Sequence, residues 1–371
     1  LPRAEGCPPG SSSQSQPAFT TCTLVPDQLP ALFVAQISHL SFHARKDQAK
    51  PMNQSILITG ASGFVGNALT DTMLDAGYSL ICPTRQPLVR QHPGLQNPQI
   101  SSLDKQTDWL PLLQHVGAVI HCAARVHVMH ETVSDPLSAF RSVNVDATVH
   151  LAQQAAAAGV KHFIFLSSVK VNGESTQPGY AFREQDVAAQ HDPYGLSKLE
   201  AEKALLAVGR KTGMAVTIIR PPLVYGPGVK ANFQSMLQWV RRGIPLPLGS
   251  ICNQRSLVFV GNLVHFILHC LYHPQARHEI FQISDGQDLS TTELLENCAV
   301  ALKTKSRLWK VSPDLLTTFA KITGKQAIAQ RLCGSLQVDI SKARNLLGWN
   351  PPFSVAEGLA ITVAPESEEK V

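Results

Sequence analysis

Long apolar runs are missing from this chain of 371 residues. No stretch reaches the roughly 18 consecutive apolar residues that a membrane span needs. Cysteine is present without any pairing by spacing. The eight residues (Cys7, Cys22, Cys82, Cys122, Cys252, Cys270, Cys298, Cys333) are scattered and form no C-x-x-C unit. That suits buried free thiols in a reducing cytoplasm better than a disulfide framework. Charge is sparse at 16%, and the net charge of +5 is modest and spread along the chain. With no Lys/Arg cluster interleaved with aromatics, nucleic-acid binding is not expected. The hydrophobic fraction of 44% is that of a globular protein. The length allows one large domain or two coupled ones.

Residues 1–51 are rich in Pro, Ser and Gln, and Met52 stands four residues before the first expected strand. We read 1–51 as a disordered extension or a start site placed too early. A targeting segment fits less well. The apolar stretch 32–37 is too short for a signal core, follows Pro30 and lacks a basic lead.

From Ser55 onward, short apolar runs alternate with longer helical segments. Strands are expected over 56–59, 78–83, 118–122, 163–167 and 216–219. Helices are expected over 64–76, 143–158 and 194–212, closed by Gly77, Gly159 and Gly213. This βα alternation predicts an α/β fold, a doubly wound parallel Rossmann sheet with right-handed crossovers. After Pro221-Pro222 the texture becomes richer in Pro and Gly and less regular. The expected division is a dinucleotide-binding domain over 52–221 and, mainly, a smaller C-terminal substrate-binding lobe over 222–371. Residues 257–260 and 280–283 are candidates to return to the main sheet.

Gly60, Gly63 and Gly66 form G-x-x-G-x-x-G at the first strand-to-helix turn. Gly60 permits the tight turn, Gly63 lets the backbone approach a pyrophosphate, and Gly66 lets the helix pack close to the sheet. The helix start offers free N–H groups and a positive dipole end. An acid at the end of the second strand would hold the ribose 2′-hydroxyl of NAD. Here that strand ends Pro83-Thr84-Arg85, and Arg85 lies 19 residues after Gly66. The absence of an acid favours NADP over NAD.

About 130 residues beyond the loop stands Tyr194-x-x-x-Lys198, which puts a phenol and an ammonium on one helix face. Tyr is a poor base at its ordinary pKa of about 10. A neighbouring ammonium and a positive nicotinamide ring both favour the phenolate and are expected to lower that value. Tyr194 can then exchange a proton with a substrate oxygen near neutral pH. Ser167-Ser168 closes the strand expected at 163–167, at the carboxyl edge where ligands bind in such sheets.

On these motifs the chain resembles the extended short-chain dehydrogenases/reductases of the NAD-dependent epimerase/dehydratase family, in its UDP-glucose 4-epimerase branch. It is similar to bacterial enzymes of surface-polysaccharide synthesis, including those that form UDP-N-acetylquinovosamine by reducing a 4-keto sugar nucleotide. The matching segments are 59–66, 119–124, Asn144-Val145, 163–173, 193–198, 220–228 and 339–349, within about 54–360. The resemblance implies catalytic roles for Tyr194, Lys198 and Ser168. It implies a cofactor site of Gly60, Ser62, Gly63, Phe64, Val65, Gly66, Arg85, Leu103, Ala123, Ala124, Asn144, Ser167 and Pro221, shared with Tyr194 and Lys198. Ser168, Asn232, Arg255 and Arg331 are the implied substrate residues, the last three on the nucleotide diphosphate. A planar arginine fork suits phosphate oxygens. The resemblance also implies a cytoplasmic homodimer, paired through the helices at 143–158 and 194–212.

Three positions depart from the family pattern. Leu223 replaces an Asn, Ser102 replaces an adenine-contacting Asp, and the acid of the second strand is missing. The last two argue against a tightly held NAD and so favour a reductase that exchanges NADPH over an epimerase. A dehydratase is disfavoured because Val169-Lys170-Val171 supplies no acid. A non-catalytic redox sensor or assembly factor of the same fold is the rival from another class, but such relatives usually lose the Tyr or Lys kept here.

His265, His269 and His273 share one helix face at metal-binding spacing, but hydride transfer needs no metal and none is expected. His127-Val128-Met129-His130 is a candidate substrate contact. Residues 315–322 are amphipathic and could touch a membrane or a lipid-linked substrate. A core-facing helix is the simpler expectation.

Overall fold

The computed structural model describes residues 54–126, 135–186, 192–324 and 326–364. The 1–51 extension and the 127–130 motif lie outside them. Nine strands are present among the described residues: β1 (Ser55–Thr59), β2 (Leu80–Ile81), β3 (Leu95–Gln96), β4 (Val116–His121), β5 (His162–Leu166), β6 (Ala215–Arg220), β7 (Leu223–Tyr225), β8 (Leu257–Phe259) and β9 (Ile280–Gln282). Seven of them form one sheet in the order β3-β2-β1-β4-β5-β6-β9, and every pairing in it is parallel. The order reverses between β1 and β4, which opens a crevice at their carboxyl ends.

Strand residues alternate between the two faces of a sheet. In β1, Ile56 and Ile58 enter one core and Leu57 the other. Strands buried on both faces read as continuous apolar runs, which is why β4 and β6 are buried from end to end. The chain's longer helices are α1 (Phe64–Asp75), α2 (Pro136–Arg141), α3 (Thr148–Ala157), α4 (Pro193–Thr212), α5 (Ala231–Arg241) and α6 (Val260–Tyr272). They are followed by α7 (Thr291–Ala301), α8 (Pro313–Ile322), α9 (Gln326–Cys333), α10 (Ser341–Leu347) and α11 (Val355–Val363). On one face α3 and α4 bury Leu151, Ala155, Ala201 and Leu205 against Val119, Phe163, Phe165 and Val216. On the other, Leu69 and Met73 of α1 join Leu263 and Ile267 of α6. That second core continues into α7, α10 and α11, so the C-terminal segments pack on the same sheet face.

Several local expectations are corrected. The second strand is two residues long, not six. Pro83 has no N–H to donate, and the Asn97 amide holds the Cys82 carbonyl at 2.6 Å and the Thr84 hydroxyl at 2.8 Å. The helix expected from 143 starts with a π turn over Ser142–Ala147, then continues as α3. Residues 280–282 do return to the main sheet as its seventh strand. Residues 257–259 instead pair with β7 in a separate two-stranded parallel sheet. The helix over Pro313–Ile322 is only partly core-facing: Leu316 packs against the core and Ala320 is buried, while Leu315, Phe319 and Ile322 are exposed. Among the described residues no helix is long and apolar enough to cross a membrane.

Candidate active site

The glycine loop sits at the carboxyl end of β1, at the crevice. Gly60 has φ +76°, and a Cβ there would lie 2.7 Å from the Ala123 backbone nitrogen. A Cβ on Gly66 would overlap the Gly60 carbonyl oxygen. Gly63 N–H closes the turn on that carbonyl at 2.9 Å and caps α1 with no side chain on the helix start. Phe64, Val65 and Gly66 therefore open a helix whose end is left to another acceptor. Ser62 is exposed on the same turn, and Ala123 and Ala124 follow β4 across the crevice. This cradle of bare backbone fits a dinucleotide pyrophosphate.

Below the loop, His121 ties the two strands together. Its Nδ1 meets the Thr59 hydroxyl at 2.6 Å and its Nε2 the Thr148 hydroxyl at 2.9 Å. Burial holds its pKa down at about 3, with the Lys198 charge adding to the effect, so it is a neutral strut. Arg85 is exposed after the buried Thr84, and no acid accompanies it. Leu103 packs at the edge of the apolar core. Beside it Ser102, at the departed position, donates to Asp104 at 2.5 Å.

The catalytic candidates converge from two elements. Asp192 caps α4, accepting from Gly195 N–H at 3.2 Å, and Pro193 occupies the first turn. Asp192 also pairs with Lys170 at 3.0 Å, which fixes the start of α4 against the turn after β5. Tyr194 stands in that first turn, edge-on to Phe140 with centroids 5.9 Å apart, and the Ser168 hydroxyl is near enough to act on its phenol. Ser168 also accepts from Lys170 N–H at 3.2 Å. Lys198 is buried one turn on. Its Nζ donates to the Leu166 carbonyl at 2.8 Å and lies 4.2 Å from the Phe165 ring centroid.

The electrostatics differ from the sequence expectation. Burial pushes the Tyr194 phenol up to about 12, with Ser168 opposing and Asp192 reinforcing that shift. Burial pulls Lys198 down to about 8, partly offset by the Glu202 carboxylate. In this state desolvation outweighs any help from the ammonium.

Two implied cofactor residues have their polar groups committed elsewhere. The Asn144 amide donates to Arg125 O at 3.0 Å and to the Ser197 hydroxyl at 3.0 Å, and accepts from Arg125 N–H at 2.8 Å. It holds the loop after β4 onto α4. Ser167 turns inward and donates to Glu202. Pro221 lies across from the serines, its carbonyl accepting from Val169 N–H at 3.0 Å.

On the substrate side, Arg255 and Arg331 are brought together. Arg255 Nη1 donates to the Arg331 carbonyl and to the Gly334 carbonyl, both at 2.9 Å. Asn232 is exposed in the first turn of α5, and no described contact joins it to the two arginines. His265 and His269 already have partners from the C-terminal segment, the Trp349 indole at 3.0 Å and the Leu347 carbonyl at 2.9 Å.

Sequence reasoning missed the support behind the site. Glu202 takes two guanidinium N–H groups of Arg220, at 2.9 and 2.6 Å, in a fully buried pair. Its position one turn beyond Lys198 was a readable signal. So was the Asp192-Pro193 helix start.

A profile of the NAD dependent epimerase/dehydratase family matches residues 56–284. A UDP-glucose 4-epimerase of Vibrio cholerae is 45% identical over 314 residues, 84% of this chain and 95% of the relative. An N-acetyl-alpha-D-glucosaminyl-diphospho-ditrans,octacis-undecaprenol 4-epimerase of Escherichia coli O157:H7 is 29% identical, over 85% of this chain and 96% of the relative. Among solved structures, a UDP-glucuronic acid 4-epimerase from Bacillus cereus in complex with NAD shares the fold at TM-score 0.67. It is 20% identical and covers 83% of this chain and 96% of that one.

Proposed function

The chain belongs to the NAD-dependent epimerase/dehydratase family and is an enzyme of it, and we propose that it is a sugar-nucleotide 4-epimerase acting at C4 of a UDP-hexose. The observation that carries this is the convergence of Tyr194, Ser168 and Lys198 on one edge beside the Gly60–Gly66 cradle. The Vibrio cholerae relative, matched over nearly its whole length, supports the sugar nucleotide and the carbon.

In this reading the cradle and Lys198 hold a nicotinamide dinucleotide, whose ring when bound supplies the hydride acceptor and a positive charge beside the phenol. Tyr194 removes the proton of the sugar 4-hydroxyl as the C4–H bond breaks, and returns it when the 4-ketone is reduced from the other face. Ser168 holds the same oxygen through both half-reactions. The ammonium of Lys198 favours the phenolate that burial alone disfavours. Arg255, Arg331 and Asn232 are assigned to the diphosphate. The product is assigned to surface-polysaccharide synthesis, and the protein to a cytoplasmic homodimer paired through α3 and α4.

Arg85 supports a second reading, an NADPH-dependent reductase of a 4-keto UDP-sugar. An exposed guanidinium with no acid beside it, four residues beyond β2, suits a 2′-phosphate. The test starts from protein purified without added cofactor, denatured and assayed for NAD(H) and NADP(H). It continues with UDP-glucose, UDP-galactose and their N-acetyl forms as substrates. Near-stoichiometric NAD(H) and interconversion of a 4-epimer pair are expected. An empty protein that prefers NADPH and turns over only a 4-keto sugar selects the second reading. No turnover of any 4-hydroxy or 4-keto UDP-sugar by the wild type refutes both.

A further inference from the structure

The face carried by α8 and α9 is apolar and exposed, and the stretch of chain that carries it is rich in cations. Leu315, Phe319 and Ile322 fall on one side of α8, at 63%, 66% and 80% exposure. Ile328 on α9 is 54% exposed and Trp309, ahead of α8, is 65% exposed. Soluble proteins bury such a stripe unless it has a partner. In the same stretch of chain Lys303, Lys305, Arg307, Lys310, Lys321 and Arg331 are all exposed, and Asp314 is the only acid between 303 and 331. None of these six joins an ion pair among the described residues. The positive charge of the chain is therefore not evenly spread, since this one segment carries more of it than the whole chain nets.

We propose that the α8–α9 face docks on an anionic lipid bilayer, with Leu315, Phe319 and Ile322 entering the interface and Lys303, Lys305, Arg307, Lys310 and Lys321 meeting the headgroups. The combination of aliphatic and aromatic side chains with a basic rim is that of an interfacial helix. A second copy of the chain is a poor occupant, because a two-fold contact through this stripe would bring two cation-rich stretches together. A nucleic acid is also a poor one, because only Phe319 and Trp309 offer a ring for a base and the rest of the stripe is aliphatic. With no helix among the described residues able to cross a membrane, attachment is peripheral. The face adjoins the candidate site: the Arg331 carbonyl that accepts from Arg255 belongs to α9 itself. The docking does not depend on the reaction assigned above.

The test is co-sedimentation of the full chain with phosphatidylcholine vesicles and with vesicles of phosphatidylcholine and phosphatidylglycerol. Binding is expected only to the anionic vesicles and should weaken with salt. Phe319→Ser with Ile322→Ser, and separately Lys305→Glu with Lys310→Glu, should each lower the partition at least about tenfold. All four side chains are exposed, so circular dichroism should stay unchanged. Protein left in the supernatant with anionic vesicles overturns the proposal. So does binding that neither pair of substitutions reduces. Two further results overturn it: a shift in oligomeric state with Phe319→Ser and Ile322→Ser in place of vesicle release, or tight binding of single-stranded DNA in place of vesicles.

Discussion

Glu202→Gln tests the frame that holds the helix carrying Tyr194 and Lys198. Glu202 and Arg220 are both buried, with side chains 2% exposed. The carboxylate receives two guanidinium N–H groups and the Ser167 hydroxyl. The remaining Arg220 donor goes to the Glu184 carbonyl at 2.8 Å and to Asn172 Oδ1 at 3.2 Å. Glutamine keeps the shape but leaves the guanidinium without its counter-charge. Breaking a buried pair in this way costs about 3–5 kcal/mol. The amide oxygen can still accept one N–H, so the lower end applies. At about 2–4 °C per kcal/mol for a large domain, Tm should fall by roughly 6–12 °C. A double variant, Glu202→Leu with Arg220→Met, should recover much of that loss, since no lone charge remains. Urea melts and calorimetry of the three proteins measure this directly. A single variant within about 0.5 kcal/mol of wild type would show that water reaches the pair and that the argument is wrong. A kinetic readout accompanies the stability. The Glu202 anion offsets part of the burial effect on Lys198. Without it, Lys198 loses its proton at lower pH, and the alkaline limit of kcat/KM should move down accordingly.

Tyr194→Phe should lower turnover by about 10²–10⁴ while leaving the melting curve close to wild type; an active variant removes Tyr194 from the chemistry. Gly66→Ala drives a methyl group into the Gly60 carbonyl. It should abolish cofactor retention and cost about 1–3 kcal/mol, measured by nucleotide release on denaturation and by urea melts. Lys198 is pulled down to about 8 from 10.5. Between those values the unfolded chain binds more protons than the native one, so Lys198 adds stability as pH rises through that window. Melts of Lys198→Met from pH 7 to 10 should lack this rise relative to wild type. Tyr225 donates to Asp285 at 2.8 Å inside the core. Burial holds Asp285 up at about 6. Tyr225→Phe should cost about 1.5–3 kcal/mol near neutral pH, read in urea, because a buried carboxylate loses a donor.

What could be read from the residues was the part written in local pattern. Ile56-Leu57-Ile58 followed by three glycines announces a parallel strand, a tight turn and a helix that must approach closely. The structure shows the reason for two of those glycines in the atoms a Cβ would meet. Gly77, Gly159 and Gly213 follow their helices with φ of +79°, +84° and +77°, the left-handed stop that glycine takes most easily. The brevity of β2 was not legible, because it depends on Asn97, the residue just after β3, capturing Cys82 and Thr84. The pairing of β8 with β7 was equally hidden: both are short apolar runs, and nothing in their pattern says which edge they join.

The site divides along the same line. Tyr194 and Lys198 are four residues apart on one helix, so their shared face follows from helical geometry alone. Their protonation does not, since it depends on how deeply the tertiary fold buries them, and here burial reverses the direction that the motif suggests for the phenol. The same holds for Asn144 and Ser167. Their place in the motif is plain, yet their polar atoms are taken by Arg125, Ser197 and Glu202, partners that only the assembled fold brings near. One holds the loop after β4 to α4 and the other holds the end of β5 to α4. The buried Glu202–Arg220 pair, resting on the strand beside Ser167 and on the helix that carries Tyr194 and Lys198, fixes those two elements relative to each other. The geometry of the candidate site is thus set by polar contacts in the layer behind the motif, and on the proposed function substitutions there should alter turnover without touching any residue assigned to the substrate.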